Sequence, residues 1–193
     1  MNKVGLAKSI SAVANAPVIA TLTFVILVSL QPAKDVAVLA ASIIFATVLP
    51  LLSLAYLSRR RVIPDFYASD RKSRLIPFIA AIACYACGVA VLLLLGAVPL
   101  IDALMLCYLV NTTTMMLITL RWKISIHSSG IAGPATVLAY ALGAVGYVAF
   151  LFVIPIGWAR VAVGEHTIGQ VLAGALVTIA LTYAQLVVYV TLL

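Results

Sequence analysis

Charge is scarce in this chain, and acidic charge scarcest of all: 9% of its 193 residues are charged and only five are Asp or Glu. A soluble globular domain carries roughly a quarter charged residues, so that class is excluded. The five acids are scattered, which leaves no carboxylate cluster for a divalent metal. Histidine occurs only twice, as His127 and His166. Three cysteines cannot pair completely. Cys84 and Cys87 have the spacing of a redox or metal motif, but they lie inside an apolar run with no second cysteine pair or histidine to complete a site, and read as structural thiols within the membrane. No internal repeat emerges, so the inverted symmetry common among transporters has no support.

What the chain has in abundance is apolar surface: 65% of residues are hydrophobic and the mean hydropathy is +1.25. Lipid is the solvent such a chain requires, and a crossing takes roughly 20 apolar residues. Apolar runs fall at about 10–30, 35–57, 74–97, 99–120, 129–159 and 168–192. They predict a single all-α membrane domain over 1–193, a polytopic bundle of six long or seven shorter helices. Lys8 interrupts the start of the first run, so the stretch before Ala14-Asn15-Ala16 reads as a retained helix rather than a cleaved signal. Ala41, Ala46, Gly88 and Gly174 read as positions where helices approach closely.

Basic residues set the expected orientation, because Lys and Arg favour cytoplasmic loops. If each run before residue 121 crosses once, Lys3, Lys8, Arg59, Arg60, Arg61 and Arg121 share one face and Lys34 alone lies on the other. The multi-pass protein is therefore expected in the cell membrane with its arginine-rich face in the cytoplasm. Arg59-Arg60-Arg61 reads mainly as a topology signal, with anionic headgroups as an alternative partner.

The 129–159 run decides where the histidines go. As one crossing it would place His127 and His166 on opposite faces. Leu142-Gly143-Ala144-Val145-Gly146 supplies a break, since glycine weakens a helix and permits a reversal. Two halves of about 14 residues would each reach about 21 Å, short and shielded by the bundle. Both histidines then meet on the cytoplasmic face.

Ionisable residues beside apolar runs call for a functional hypothesis. Three clusters qualify: Asp70 to Pro77, Lys123 to Gly130, and Arg160 to Gln170. Phosphoryl transfer asks for cations and N–H donors around the equatorial oxygens, a nucleophile in line, and an acid for the leaving oxygen. Arginines offer permanently charged forks, serines and a helix start offer donors, and two histidines can divide the nucleophile and acid roles.

The spacing of these residues resembles the type 2 phosphatidic acid phosphatase superfamily of membrane lipid phosphatases. Its third motif is Arg, five residues, His, three residues, Asp; Arg160 and His166 keep that spacing, with Gln170 in place of Asp. Its second motif, Pro-Ser-Gly-His, is similar to Ile124-Ser125-Ile126-His127, with Pro and Gly lost. Its first motif, Lys, six residues, Arg-Pro, is met only loosely by Arg71, Arg74 and Pro77. Two apolar runs separate the first and second clusters, so the resemblance is to a divergent branch.

The resemblance implies that His166 attacks phosphorus, Arg160 holds the transferring oxygens, His127 protonates the leaving oxygen and Ser125 binds phosphate. Arg71 and Arg74 would complete the cradle, with Lys123 as a further contact or an interfacial anchor beside Trp122. No metal or other cofactor is implied. The expected partners are the bilayer and a lipid phosphate or polyprenyl diphosphate, with no nucleic acid. Room for two phosphates in the basic site favours the polyprenyl class.

Several residues carry two readings. Thr167 and Gln170 form a capping box, yet Gln170 one turn from His166 could also accept its imidazole N–H. Glu165 could tune His166 or sit solvated in a loop. Asn111-Thr112-Thr113-Thr114 could bond between helices, bond back to the backbone, or line a substrate groove. The rivals to a phosphatase are a lipid phosphotransferase and a non-catalytic anion channel or transporter using the same cations.

Overall fold

The computed structural model describes residues 3–13, 16–65 and 70–192, and every regular element among them is helical. The order is α1 (Lys3–Val13), α2 (Ala16–Ser29), α3 (Val36–Ile43), α4 (Leu49–Arg59), α5 (Leu75–Leu95), α6 (Pro99–Thr119), α7 (Ile126–Leu142), α8 (Val153–Ala162) and α9 (Ile168–Leu192). Five stretches, Val36–Arg59, Lys72–Leu95, Pro99–Thr119, Ile126–Ala162 and Ile168–Val190, are long and apolar enough to cross a membrane. The chain is an integral membrane protein on that measure. Side chains such as Leu94 and Ile154 lie open on the outside of the bundle, the placement that a lipid solvent favours. The expected 10–30 crossing is divided: α2 is a shorter apolar helix of 14 residues, reaching about 21 Å, and α1 packs against α8. Ala14 and Asn15, from the supposed cleavage motif, and residues 66–69 of the basic loop lie outside the described residues.

Local chemistry explains the boundaries. Asp35 caps α3, its Oδ1 accepting the N–H groups of Ala37 at 2.8 Å and Val38 at 3.1 Å. α3 and α4 join through a widened π turn over Ile44–Val48. Pro50 lies just beyond it, has no N–H to give Ala46 four residues back, and would press its ring on that carbonyl; the wider turn makes room. Gly96 ends α5 in the left-handed region at φ 67°.

The long Ile126–Ala162 stretch is folded back on itself. At Gly143 the backbone takes φ 58° and ψ −132°, and the next ten residues, Gly143–Phe152, form a 3-10 helix that packs along α7. Gly146 lies so close that a Cβ there would collide with the Leu138 carbonyl. The glycine break is thus where the sequence places it, but the halves are longer than 14 residues. α7 has 17 residues and rises about 26 Å. The return joins ten 3-10 residues to ten α-helical ones, roughly 35 Å of path.

The core lies between α2, α5, α6, α7 and α9, where Phe24, Leu27, Leu92, Leu104, Met105, Val137 and Leu186 are sealed from solvent. A smaller cluster of Phe78, Met115 and Ile124 lies under the polar end. Gly88 and Gly174 are close-approach points as expected: a Cβ on Gly88 would press on Phe45, and one on Gly174 would strike the Ser125 carbonyl.

Candidate active site

The start of α7 and the start of α9 are tied together. Ser125 caps α7, its hydroxyl lying 3.0 Å from that of Ser128 and accepting the Ser128 N–H at 3.4 Å. Its own N–H donates to the Gln170 carbonyl at 3.2 Å. With Gly174 allowing α9 to run past this point, His127 is carried to the α9 start, where His166 lies.

Arg160 and His166 are joined by one closed turn. The Arg160 carbonyl accepts the N–H groups of Glu165 at 3.1 Å and His166 at 3.2 Å, and Gly164 takes the left-handed φ of 76° that closes it. The five-residue spacing between arginine and histidine is therefore the length of a helix C-terminal turn.

Gln170 does both things its position suggested. Thr167 and Gln170 form the reciprocal capping box, with the Thr167 N–H donating to Gln170 Oε1 at 3.2 Å and the Gln170 N–H donating to Thr167 Oγ1 at 3.3 Å. The same Oε1 lies 3.0 Å from His166 Nδ1. An atom accepting from a backbone N–H must be the amide oxygen, so Nδ1 must donate to it. The proton of neutral His166 therefore resides on Nδ1, and the lone pair on Nε2. Nε2 is buried without a hydrogen-bond partner.

Burial pushes the His166 pKa down from 6.5 to about 4. The Gln170 bond opposes that shift, and the positive charges of Arg74, Arg160 and Lys123 add to it. The ring is accordingly neutral near pH 7, with Nε2 unprotonated.

His127, His166, Arg74 and Arg160 line one cavity of about 210 Å³. The two arginines and His166 are only 3%, 7% and 6% exposed, so little water screens them. Arg74 reaches the site from the start of α5 and donates from Nη1 to the Ile124 carbonyl at 3.2 Å. Beyond these cations the cavity continues into the bundle, walled by Pro50, Leu51, Leu54, Phe78 and Ala81. One end is cationic and the rest is largely apolar.

Three expected phosphate ligands stand elsewhere. Arg71 donates from Nη1 to the carbonyls of Thr119, at 3.0 Å, and Leu120; it closes the C-terminal end of α6 and is not among the cavity-lining residues. Lys123 pairs with Glu165 at 3.3 Å, outside the lining. Ser125 spends its hydroxyl on the helix cap described above. Glu165 is neither solvated alone nor bonded to His166: its Oε2 also lies 3.9 Å from Arg160 Nη2, so one carboxylate spans two cations.

The polar stretch of α6 divides its roles too. Thr113 and Thr114 bond back to the Leu109 and Val110 carbonyls, Asn111 bonds across to α9, and Asn111 and Thr112 line the cavity. No local signal in the sequence marks the α2 and α4 walls of the cavity; only packing brings Pro17 or Leu54 to it. All three cysteines are free. Among the described residues no three His, Cys, Asp or Glu side chains lie together as a metal site would need.

The chain matches no family model, no curated protein and no solved structure.

Proposed function

We propose that this protein is a membrane lipid phosphatase of the type 2 phosphatidic acid phosphatase kind, in fold and in chemistry, acting on the phosphate monoester or diphosphate of a polyprenyl or glycerolipid substrate. The observation that carries the reading is His166: its Nδ1 is committed to Gln170, its Nε2 lone pair is unpartnered, and it shares a cavity with His127 and two buried arginines. A nucleophile, a second imidazole and paired cations at the mouth of an apolar slot suit an amphiphile whose phosphate stays at the polar end.

In the first step His166 Nε2 attacks phosphorus and an N–P bond forms as the P–O bond to the lipid breaks. His127, in its protonated form, gives its proton to the departing oxygen. Arg74 and Arg160 hold the equatorial oxygens, whose charge grows in the transition state. In the second step water attacks the phosphohistidine, neutral His127 takes a proton from that water, and inorganic phosphate leaves with His166 restored. Nothing in this sequence of steps calls for a metal. In this reading the site faces the cytoplasm, because the loop holding Arg59, Arg60 and Arg61 and the segment holding Arg121 end at the same pole of the bundle as His166.

Purified protein in detergent should release phosphate from a lipid phosphate in the presence of EDTA, and His166→Asn should abolish that release. Full activity in the His166→Asn protein would overturn the mechanism. Movement of anions without phosphate release would favour a channel or transporter instead.

A further inference from the structure

We infer that the protein holds an anionic phospholipid of the surrounding bilayer in a second pocket, outside the catalytic cavity, with the lipid phosphate on Arg71, Lys72 and Thr119 and an acyl chain along α5 and α6. The inference stands apart from the phosphatase reading and requires no lipid to be hydrolysed. The pocket, of about 310 Å³, opens where the turn leading into α5 meets the last turn of α6. None of His127, His166, Arg74 or Arg160 lines it. Phe78 lines both this pocket and the catalytic cavity, and so belongs to the wall between them.

The polar end of the pocket is built from donors. Arg71 Nη1 spends its hydrogens on the Thr119 and Leu120 carbonyls, which fixes the guanidinium beside the pocket. Its Nε and Nη2 hydrogens make no hydrogen bond among the described residues, so one edge of the guanidinium remains as a fork for two phosphate oxygens. Lys72 is exposed, and its ammonium makes no ion pair among the described residues. Thr119 is only 4% exposed and its hydroxyl has no hydrogen-bond partner, a cost that an acceptor seated in the pocket removes. The adjoining carboxylate, Asp70, is turned to the backbone: its Oδ2 accepts the N–H groups of Lys72 at 3.1 Å and Ser73 at 3.3 Å. Two positive charges and a hydroxyl thus border one pocket whose lining contains no acidic residue.

The rest of the pocket is apolar. Leu75, Phe78, Met116 and Leu120 complete its lining, and Leu75 and Leu120 lie open on the outside of the bundle. Inorganic phosphate would use the cations and leave this surface bare, whereas a lipid covers both. The depth suits a headgroup. Arg121 and Trp122 follow Leu120 directly and both are exposed, and a tryptophan at a helix end marks the level of the headgroups. With Arg121 beside it, the positive border favours a lipid of net negative charge over a zwitterionic one, whose quaternary ammonium it repels.

The test uses the whole chain in phosphatidylcholine vesicles that hold a small share of a photoactivatable lipid, its diazirine early in the acyl chain. That lipid is phosphatidylglycerol in one arm and phosphatidylcholine in the other. Irradiation, digestion and mass spectrometry then give the labelling of residues 75–79 and 116–120. Phosphatidylglycerol should label these segments about 10-fold more than phosphatidylcholine, with no such preference at residues 92–100 on the opposite pole. Lys72→Gln should cut the preference by about 5-fold, and Arg71→Gln with Lys72→Gln should abolish it. Lys72→Gln keeps the Arg71 bonds to the end of α6, so it remains informative if the double variant fails to fold. Equal labelling by the two lipids, or a preference unmoved by Lys72→Gln, overturns the inference. Loss of the label to millimolar inorganic phosphate at constant ionic strength assigns the pocket to a free anion and overturns the lipid. The expected labelling in a protein that releases no phosphate leaves this site standing while the phosphatase reading fails; phosphate release without the preference does the reverse.

Discussion

Replacing Gln170 by Glu changes one atom's chemistry and little else, because both side chains present an oxygen to His166 Nδ1 and to the Thr167 N–H. In the present protein that oxygen is neutral, and His166 sits at about pKa 4, chiefly through burial. A carboxylate in its place makes the bond to the imidazolium charge-assisted, about 1 to 2 kcal/mol stronger than the neutral one. At about 1.36 kcal/mol per pKa unit, the His166 pKa should rise by about a unit or more. His166→Asn and His127→Asn proteins each retain a single histidine, so 15N-histidine spectra of His127→Asn and of His127→Asn with Gln170→Glu report His166 alone. The 15N shifts should show the proton on Nδ1 at neutral pH in the first protein, and titration of the second at higher pH. In proteins with His127 intact, the acid limb of kcat/KM should follow, lying near pH 4 with Gln170 and higher in Gln170→Glu, because protonated Nε2 cannot attack. An Nε2–H tautomer at neutral pH, or an unmoved titration in Gln170→Glu, would refute the assignment of Gln170 as the residue that orients and tunes the nucleophile.

The same lowered pKa makes stability pH-dependent. A neutral buried histidine binds its proton later than the unfolded chain does, so stability should fall as pH drops from about 6.5 toward 4 and hold above that window; thermal unfolding in detergent across this range checks it. Arg74→Ala should lower kcat/KM by about 100-fold, the scale of losing one donor to developing charge in a water-poor site. Arg71→Ala should leave it within about 2-fold and instead loosen the end of α6, read as hydrogen exchange at residues 117–122. Gly146→Ala should destabilise the fold by about 1 to 3 kcal/mol, because its Cβ has no room beside Leu138, and should reduce activity by displacing the return path that carries Arg160 and His166.

Much of this arrangement was legible in the sequence, for reasons specific to each part. Membrane helices announce themselves through unbroken apolar composition, and the boundaries of α5, α6 and α9 fall close to the polar interruptions that mark them. Gly143 and Gly146 revealed the reversal because few other residues tolerate it, and the reversal alone lets His127 and His166 approach. The spacing of Arg160, His166 and Gln170 encodes a helix end, a turn and a helix start, all local structure. Arg71 against Arg74 was not decidable that way. Both arginines stand before the same helix, and which one points inward depends on the end of α6, nearly fifty residues away in the chain. Ser125 likewise has a hydroxyl suited to phosphate, but the unpaired N–H groups of the α7 start claim it first. The division of 10–30 into α1 and α2 carries no strong punctuation in sequence, and Asn111 acquires its meaning only from Thr182 and Gln185 on α9.

In the proposed mechanism His166 becomes covalently phosphorylated. Brief incubation with a lipid substrate labelled on phosphate, followed by alkaline denaturation, digestion and mass spectrometry, should recover an acid-labile phosphate on the peptide containing His166. His127→Asn should slow both the appearance and the decay of that species, since His127 serves both steps, whereas His166→Asn should abolish it. Label found on another residue, or phosphate release at the normal rate with no labelled histidine at any quench time, would rule out a phosphohistidine at His166.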